Sequence, residues 1–343
     1  MHGLTSLLLL SRAEVESLLD LDRLVDALAS AMADLSEGRA SMPTRVAAMV
    51  AQREGLLAAM PAFLPSAPAL TTKLVTLFPQ NRDRPTHQAI VCAFDPATGS
   101  PLAIMDGTYI TAARTAAASA LATRLLARPD AHTVVVLGTG VQARSHAIAL
   151  SRDPRVERVV IAGRDAAAAR ALAEEARPWI AAGAAAGGRP APTIEAAPSV
   201  EDAVRSADIV CLATHAPDPV AARAWLRPGT HVNSVGYNSA GKGELDGAII
   251  RDGLLVVESR ASALAPPPSG AVELRWAIED GLITPDHVHA EIGELVSGRA
   301  TGRTDETQLT VYKSVGVAVE DAAAAALVLA AATERGIGTR VEL

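Results

Sequence analysis

The chain has few aromatic side chains: three Phe, three Tyr and three Trp in 343 residues. Hydrophobic residues still make up 49%, so its cores must be aliphatic, built from Ala, Val, Leu and Ile. The length is enough for two domains of ordinary size. Basic residues are also short: 31 Lys and Arg stand against 38 Asp and Glu, a net charge of −7. A nucleic-acid partner would want a basic face, so the balance argues against one. Cysteine is nearly absent. Cys92 and Cys211 lie 119 positions apart in apolar runs, which reads as two buried, reduced thiols. No metal-binding spacing occurs. Of eight histidines, His287 and His289 are two apart and no other two are closer than 14, so no zinc site is expected. The longest apolar runs are alanine-rich or broken by charges, so no membrane span is expected. The opening "MHGLTSLLLLSRAEVESLL" has no Lys or Arg before its short apolar run and no small-residue cleavage site after it. It therefore does not read as a signal peptide. Ser11-Arg12-Ala13-Glu14 reads instead as a capping box that opens a helix. A cytoplasmic protein is expected.

The pattern of what is present changes near Pro129. Before it, residues 4–10 read as a strand and 11–37 as one broken helix or two. "MPTRVAAMV" leads from a turn into a strand, residues 70–79 form another, and Met60-Pro61 is read as a turn that helps shape a side-chain pocket. "HQAIVCAFDPATGSPLAIMDG" reads as two strands around the turn at Asp95–Gly99, and 108–128 as a long alanine-rich helix. This is α+β with an antiparallel sheet. After Pro129, continuous apolar strands ("TVVVLG", "RVVIAG", "ADIVCLAT", "THVNSVG", "GLLVVES") alternate with helices. That pattern predicts a parallel, doubly wound sheet. Residues 181–192 read as a flexible loop and 265–270 as a stiffer one. From 305 the chain reads as polar, then as an alanine-rich helix resembling 108–128. The expected division is therefore 1–128 with 305–343, and 129–304.

The segment "TVVVLGTGVQARSHAIAL" carries the first functional signal. An apolar strand runs into Gly138-Thr139-Gly140-Val141-Gln142-Ala143 and then a helix. Gly138 suits a tight turn, Gly140 lets backbone N–H groups approach a pyrophosphate, and the helix start adds partial positive charge. The third position of this motif needs only a small side chain, and Ala143 is small. The alternative is an ordinary glycine turn. An NAD site wants a carboxylate at the end of the second strand. That place holds Gly163, followed by Arg164, while Glu157 lies at the wrong end of the strand. A guanidinium suits a 2′-phosphate, so NADP(H) is favoured and NAD(H) stays possible, with Asp165 as the group that would bend back to a ribose.

Several stretches together resemble the ornithine cyclodeaminase/mu-crystallin family along nearly the whole chain. They are Arg45 in "MPTRV", Lys73 in "TTKLVTLFPQN", "PTHQAIVCAFDPATGSPLAIMDG", Arg114 in "TAARTAAAS", "GTGVQA", "GKGELD" at 241–246, "EIGELVSG" at 291–298 and "VYKSVG" at 311–316. The resemblance implies an α/β fold: a Rossmann doubly wound parallel sheet plus an α+β substrate-binding and dimerisation domain. It implies a homodimer and a small amino or imino acid as substrate, while the apolar runs already argue for no membrane partner. It also makes Arg45 and Lys73 the grip on the substrate carboxylate, a role a planar fork and a point charge suit. Lys73 lies in an apolar strand, where desolvation beside Arg45 would lower its pKa and make it a proton donor. Gln88 and Arg114 resemble positions near the cofactor, and Thr115, Thr214, Ser234, Val235 and Gly236 are expected to complete its site. His87 is either a second acid or a structural histidine at a strand end. Asn238 stands where the family's cyclodeaminases carry Asp, and an amide cannot be a general base. The expected activity is therefore NAD(P)H-dependent reduction of a small α-imino acid or cyclic ketimine, or its reverse. Ornithine cyclodeamination and non-catalytic binding of NADPH with a small ligand are the alternatives.

Overall fold

A computed structural model describes residues 6–236, 241–266 and 269–342. In chain order its elements begin with β1 (Ser6–Leu10), α1 (Arg12–Leu18), α2 (Leu21–Ser36), β2 (Val46–Val50), β3 (Gly55–Leu64), β4 (Ala69–Leu77), β5 (His87–Phe94), β6 (Pro101–Asp106) and α3 (Gly107–Leu126). They continue with β7 (Thr133–Leu137), α4 (Val141–Leu150), β8 (Arg158–Ala162), α5 (Ala166–Ala186), β9 (Thr193–Ala196), α6 (Val200–Ser206), β10 (Ile209–Leu212) and β11 (His231–Ser234). The remainder is α7 (Gly247–Asp252), β12 (Leu254–Val257), α8 (Arg260–Ala263), α9 (Val272–Glu279), β13 (Val288–Glu291), α10 (Ile292–Val296), β14 (Thr310–Lys313), α11 (Ala318–Arg335) and β15 (Thr339–Glu342). No helix among the described residues is long and apolar enough to cross a membrane.

The chain divides into two compact units, Met1–Arg114 with Val317–Leu343, and Thr115–Gly316. These boundaries differ from 128 and 305 for two reasons. The first division falls inside α3. The second is moved by "TVYK", which is not the run-up to a helix but the buried strand β14, paired in parallel with β11 and β12.

The first unit is built on a seven-stranded sheet in the order β15-β1-β6-β5-β4-β3-β2. β2 to β6 are antiparallel neighbours; β1 joins β6 in parallel and pairs β15 antiparallel. One face alternates into the core through Ala58, Met60, Ala62, Thr71, Lys73, Val75, Val91, Ala93, Ala103 and Met105. α11 packs on this face against β3 and β4, and also against α2. Its alanines at 322, 325 and 332 are buried, and small side chains let a helix approach closely. α2 contributes Leu24, Leu28, Ala31 and Met32, one stripe at helical spacing. The Ser11–Glu14 capping box is present: the Ser11 N–H donates to Glu14 Oε2 at 2.7 Å, and the Glu14 N–H to Ser11 Oγ at 3.4 Å.

Met60 and Pro61 do not form a turn; they lie inside β3, with Met60 opposite Lys73 and Pro61 opposite Thr72. The proline is tolerated for a specific reason. The Phe63 N–H donates to Ser41 at 2.8 Å, so the nitrogen two residues earlier points to the same side. There β2 has not yet begun, since its pairing starts at Val46 with Ala59. No ladder hydrogen bond is lost.

The second unit carries eight parallel strands in the order β13-β12-β14-β11-β10-β7-β8-β9. β7, β10, β11 and β14 are buried at every position. This explains the unbroken apolar runs of β7 and β10, whereas the polar residues His231 and Asn233 of β11 and Lys313 of β14 are each hydrogen-bonded in the interior. From β7 the chain steps outward to β8 and β9, then returns to the other side for β10 and β11. The order therefore reverses between β7 and β10, the switch point of a doubly wound sheet. α5 runs through residue 186, across part of the stretch expected to be a flexible loop. Pro178 and Gly183 cost roughly 3 and 1 kcal/mol inside a helix, and the helix carries on through both because Ala176, Ile180 and Ala184 are buried on one face.

Candidate active site

The predicted site residues fall into two groups, one in each unit. In the first unit, Lys73 sits in mid-strand on the core face of β4, 2% exposed. Its Nζ lies 2.8 Å from Asp321 Oδ2 in the first turn of α11. Arg114, on α3, donates from Nε to Asp321 Oδ1 at 3.3 Å and from Nη1 to Glu320 Oε2 at 2.6 Å. Asp321 thus bridges both cations. The buried quartet has two positive and two negative charges, and Glu320 also accepts the Val317 N–H at 2.9 Å, which starts α11. Such a set is tolerated in a core only when each charge is paired.

Electrostatics follow from this geometry. The Lys73 ammonium is pushed down to about 8, mainly by burial, with Asp321 opposing and Arg114 reinforcing the shift. The cation that acts on Lys73 is therefore Arg114, where the sequence pointed to Arg45. Burial disfavours the charged form of Asp321, but Lys73 and Arg114 outweigh it and hold the carboxyl below its ordinary value. His87 shares the core face with Lys73, because the register pairs Lys73 with Val91 and Leu77 with His87. It is pushed down to about 4 by burial and then by the charges of Lys73 and Arg114. The imidazole is neutral at pH 7.

Gln88 is not part of this group. It follows His87 and lies on the opposite, outer face, where it is exposed and donates from Nε2 to the Pro85 carbonyl at 3.3 Å. Arg45 is half-buried just ahead of β2. Extending the β2 register by one residue sets it opposite Met60, which pairs with Lys73. Arg45 and Lys73 therefore lie in one row, two strand spacings or about 10 Å apart.

In the second unit, Gly138 has φ 128°, and a Cβ there would lie 2.4 Å from the Ala213 carbonyl oxygen and 3.5 Å from the Ala143 methyl. Glycine is required by the turn, and Ala143 fills the packing position. Gly140 differs. It caps α4 at φ −93°, where any residue fits, and a Cβ would meet no atom within 4 Å. Protein packing gives no reason for glycine here; the space lies open before the free N–H groups of the helix start. Thr139, Gly140 and Val141 are exposed, Gln142 is half-buried and Ala143 is buried. Past β8, Gly163 is half-buried, with its Cβ position 3.4 Å from the Thr139 methyl. Arg164 is exposed and pairs with no carboxylate among the described residues. Asp165 caps α5 by accepting from the N–H groups of Ala167 and Ala168 at 2.8 and 3.1 Å. Thr115 is buried on α3.

Beyond β10 and β11, the structure reveals residues the sequence reading had not singled out. Glu244, 1% exposed, accepts from the Thr214 N–H (2.7 Å), Thr214 Oγ1 (2.7 Å), Ser234 Oγ (3.1 Å) and the Gly236 N–H (2.6 Å). Lys313 Nζ donates to Ser234 Oγ (3.2 Å), the Gly236 carbonyl (3.0 Å) and Glu273 (3.0 Å). Ser234 is fully buried and spent between Glu244 and Lys313, so it supports the strand edge instead of lining a surface. Val235 is half-buried and donates its N–H to the Leu212 carbonyl at 3.1 Å. Glu244 and Lys313 sit in the conspicuous stretches "GKGELD" and "VYKSVG"; the single charge of the second was an available signal, while Glu244 is one of three charged residues in the first and did not stand out. Asn238 lies outside the described residues.

Comparison with known proteins accords with this arrangement. Residues 6–336 match the model of the ornithine cyclodeaminase/mu-crystallin family. The chain is 37% identical over 310 residues to the ketimine reductase mu-crystallin of Mus musculus, covering 89% of this chain and 90% of that protein. Among solved structures it is similar to the Thermococcus litoralis Delta(1)-pyrroline-2-carboxylate reductase in complex with NADH and L-proline. That match has a TM-score of 0.88 and 36% identity, over 97% of this chain and 100% of the other. It is also similar to an archaeal alanine dehydrogenase dimer with bound NAD, with a TM-score of 0.84 and 30% identity over 98% and 99% of the two chains. By sequence along almost its whole length and by fold, the chain belongs to the ornithine cyclodeaminase/mu-crystallin family.

Proposed function

We propose that this chain reduces the carbon–nitrogen double bond of a small α-imino acid or cyclic ketimine to an amino acid, with NADPH as reductant, and also runs the reverse dehydrogenation. The carrying observation is Lys73: a buried ammonium near pKa 8, held between Asp321 and Arg114. A group poised there gives up a proton to a substrate nitrogen close to working pH. The bound cofactor supplies the hydride to the imine carbon. Lys73 holds the proton that the nitrogen takes up and is reprotonated from solvent. His87, neutral at pH 7, orients without acting as the acid. Arg45, in the Lys73 row, takes the substrate carboxylate as a bidentate fork.

Gly140 supports the cofactor reading, because the open space at a helix start suits a pyrophosphate. Arg164 supports a 2′-phosphate, and Asp165, which gives its Oδ1 to the α5 cap, is a weaker competitor for a ribose than a carboxylate at the end of β8 itself would be. On this reading the first unit binds substrate and forms a homodimer, and the second binds dinucleotide. The outer face of the seven-stranded sheet exposes Leu9, Leu57, Ile90 and Leu102, an apolar surface of the kind that marks an interface. Both thiols are free; Cys211 is buried as expected, whereas Cys92 is half-buried on the outer face of β5, and two free thiols suit a cytoplasmic setting.

The test is a panel of 2-oxo acids with ammonia or methylamine, and of pre-formed cyclic ketimines, followed by NADPH and NADH consumption. Oxidation of NADPH by at least one substrate is expected. Ammonia and proline formed from ornithine over many turnovers, without net NADPH consumption, would replace this reading by cyclodeamination. The amide at Asn238 argues against that outcome.

A further inference from the structure

The hydrogen bonds around Glu244 have a direction. Thr214 follows β10, and Ser234–Gly236 closes β11 and continues beyond it. The N–H groups of Thr214 and Gly236 end on the Glu244 carboxylate, and the Val235 N–H ends on the Leu212 carbonyl. A threonine hydroxyl has one donor and two acceptor sites. Thr214 Oγ1 spends its donor on Glu244 and one acceptor site on the Ala216 N–H at 3.2 Å. One acceptor site remains. The Gly236 carbonyl accepts from Lys313 and has one lone pair left. This stretch of the strand edge therefore offers hydrogen-bond acceptors. The other stretch, at Gly138–Val141, offers the N–H groups of a helix start.

A dinucleotide lies across the carboxyl ends of such strands with one nucleotide on each side of the switch point. The β7-β8-β9 side carries Arg164 and takes the adenosine half, which leaves the β10-β11 side for the nicotinamide. We infer that Glu244 is a positioning residue: it locks the Thr214 hydroxyl as an acceptor, so that this edge selects a ring bearing an amide N–H, the carboxamide of nicotinamide. Lys313 completes the arrangement. It reaches Glu244 through Ser234 and pairs directly with Glu273, so the buried carboxylates keep a counter-charge. The inference rests on the cofactor reading and deepens it.

The experiment compares dissociation constants, measured on the full chain by titration, for NADPH and for its 3-acetylpyridine analogue, which keeps the ring carbonyl but has no amide N–H. ADP-ribose 2′-phosphate serves as the adenosine-side probe. The unmodified protein should prefer the carboxamide ring. In Glu244→Gln, and independently in the near-isosteric Thr214→Val, that preference should fall by about 2- to 12-fold, the range for one neutral hydrogen bond. Affinity for the adenosine-side probe should not change. Equal weakening for both rings and for the probe would mean that Glu244 only supports the fold, and would overturn the inference. An unmodified protein that binds NADPH but treats the two rings alike would overturn it and leave the cofactor reading intact. Failure to bind either ring or the probe would remove the cofactor reading and this inference with it.

Discussion

Replacing Asp321 by Asn leaves the size of the side chain almost unchanged and removes one charge from the buried quartet around Lys73. The quartet goes from neutral to +1, and the Lys73 ammonium loses the partner 2.8 Å away. Burial and Arg114 already hold its pKa at about 8, with Asp321 working against them. Loss of an adjacent opposite charge moves a pKa by about 1–3 units, here to roughly 5–7. With a pKa of about 8, Lys73 is about 90% protonated at pH 7; after the shift it is about 50% to 1% protonated. If Lys73 is the acid, the falling limb of the pH–rate profile moves from near pH 8 to between about 5 and 7. At pH 7 kcat/KM then drops about 2- to 100-fold, and much of it returns at lower pH. Removing one partner of a buried ion pair ordinarily costs about 3–5 kcal/mol; release of the proton by Lys73 offsets part of this, so a folded variant is expected. The assay is kcat/KM from pH 5 to 10 for both proteins on one imine substrate, with folding checked by circular dichroism. A folded variant whose limb stays near pH 8 would refute Lys73 as the titrating acid.

The remaining predictions concern the loop, the cofactor and stability. Gly140→Ala should lower the melting temperature by no more than about 1–3 °C, the cost of alanine at an N-cap whose Cβ meets nothing, yet weaken NADPH by about tenfold or more, roughly 1.4 kcal/mol, by crowding the approach to the helix start; equal affinity would place the dinucleotide elsewhere. Arg164→Ala should weaken NADPH by about 10- to 100-fold, the worth of a charge-assisted hydrogen bond, and leave NADH nearly unchanged; equal losses would show that it does not read a 2′-phosphate. His146 and His231 are fully buried, with pKa values pushed down to about 4 and about 3, chiefly by burial. Below pH 6.5 the unfolded chain therefore binds more protons than the folded one, and stability should fall with acidification from there toward pH 4, by about 1.4 kcal/mol per unit for each histidine. Urea midpoints that stay flat between pH 6.5 and 5 would contradict this.

The parts legible in the sequence were those whose physics is local. A parallel strand buried on both faces writes itself as "TVVVL", and the turn after it must be small, so the β7–α4 loop could be read directly. Lys73 stood out because an amine in an apolar strand is costly without a task. β3 was hidden by Pro61, which is harmless only because β2 starts too late to need its missing N–H, a fact of pairing and not of composition. β14 was hidden because a four-residue strand containing Lys313 carries no recognisable period. The quartet itself was out of reach. Arg114 meets Asp321 across 207 positions of sequence, and the two acids of α11 look in isolation like the ordinary acidic first turn of a helix.

That separation sets an order of events during synthesis. Lys73 and Arg114 leave the ribosome early, while their carboxylates on α11 follow only after the whole second unit has been made. At about 5–20 residues per second, the interval from Arg114 to Asp321 is on the order of 10–40 s. Through that time the sheet of the first unit has its core face uncovered and two cations that no buried site can yet accept. The second unit, continuous from Thr115 to Gly316, can complete its parallel sheet meanwhile. The last helix therefore closes the hydrophobic core of the first unit and neutralises Lys73 in one step, and a nascent chain stalled just short of Asp321 would carry a finished parallel sheet in its second unit and a half-built, aggregation-prone sheet in its first.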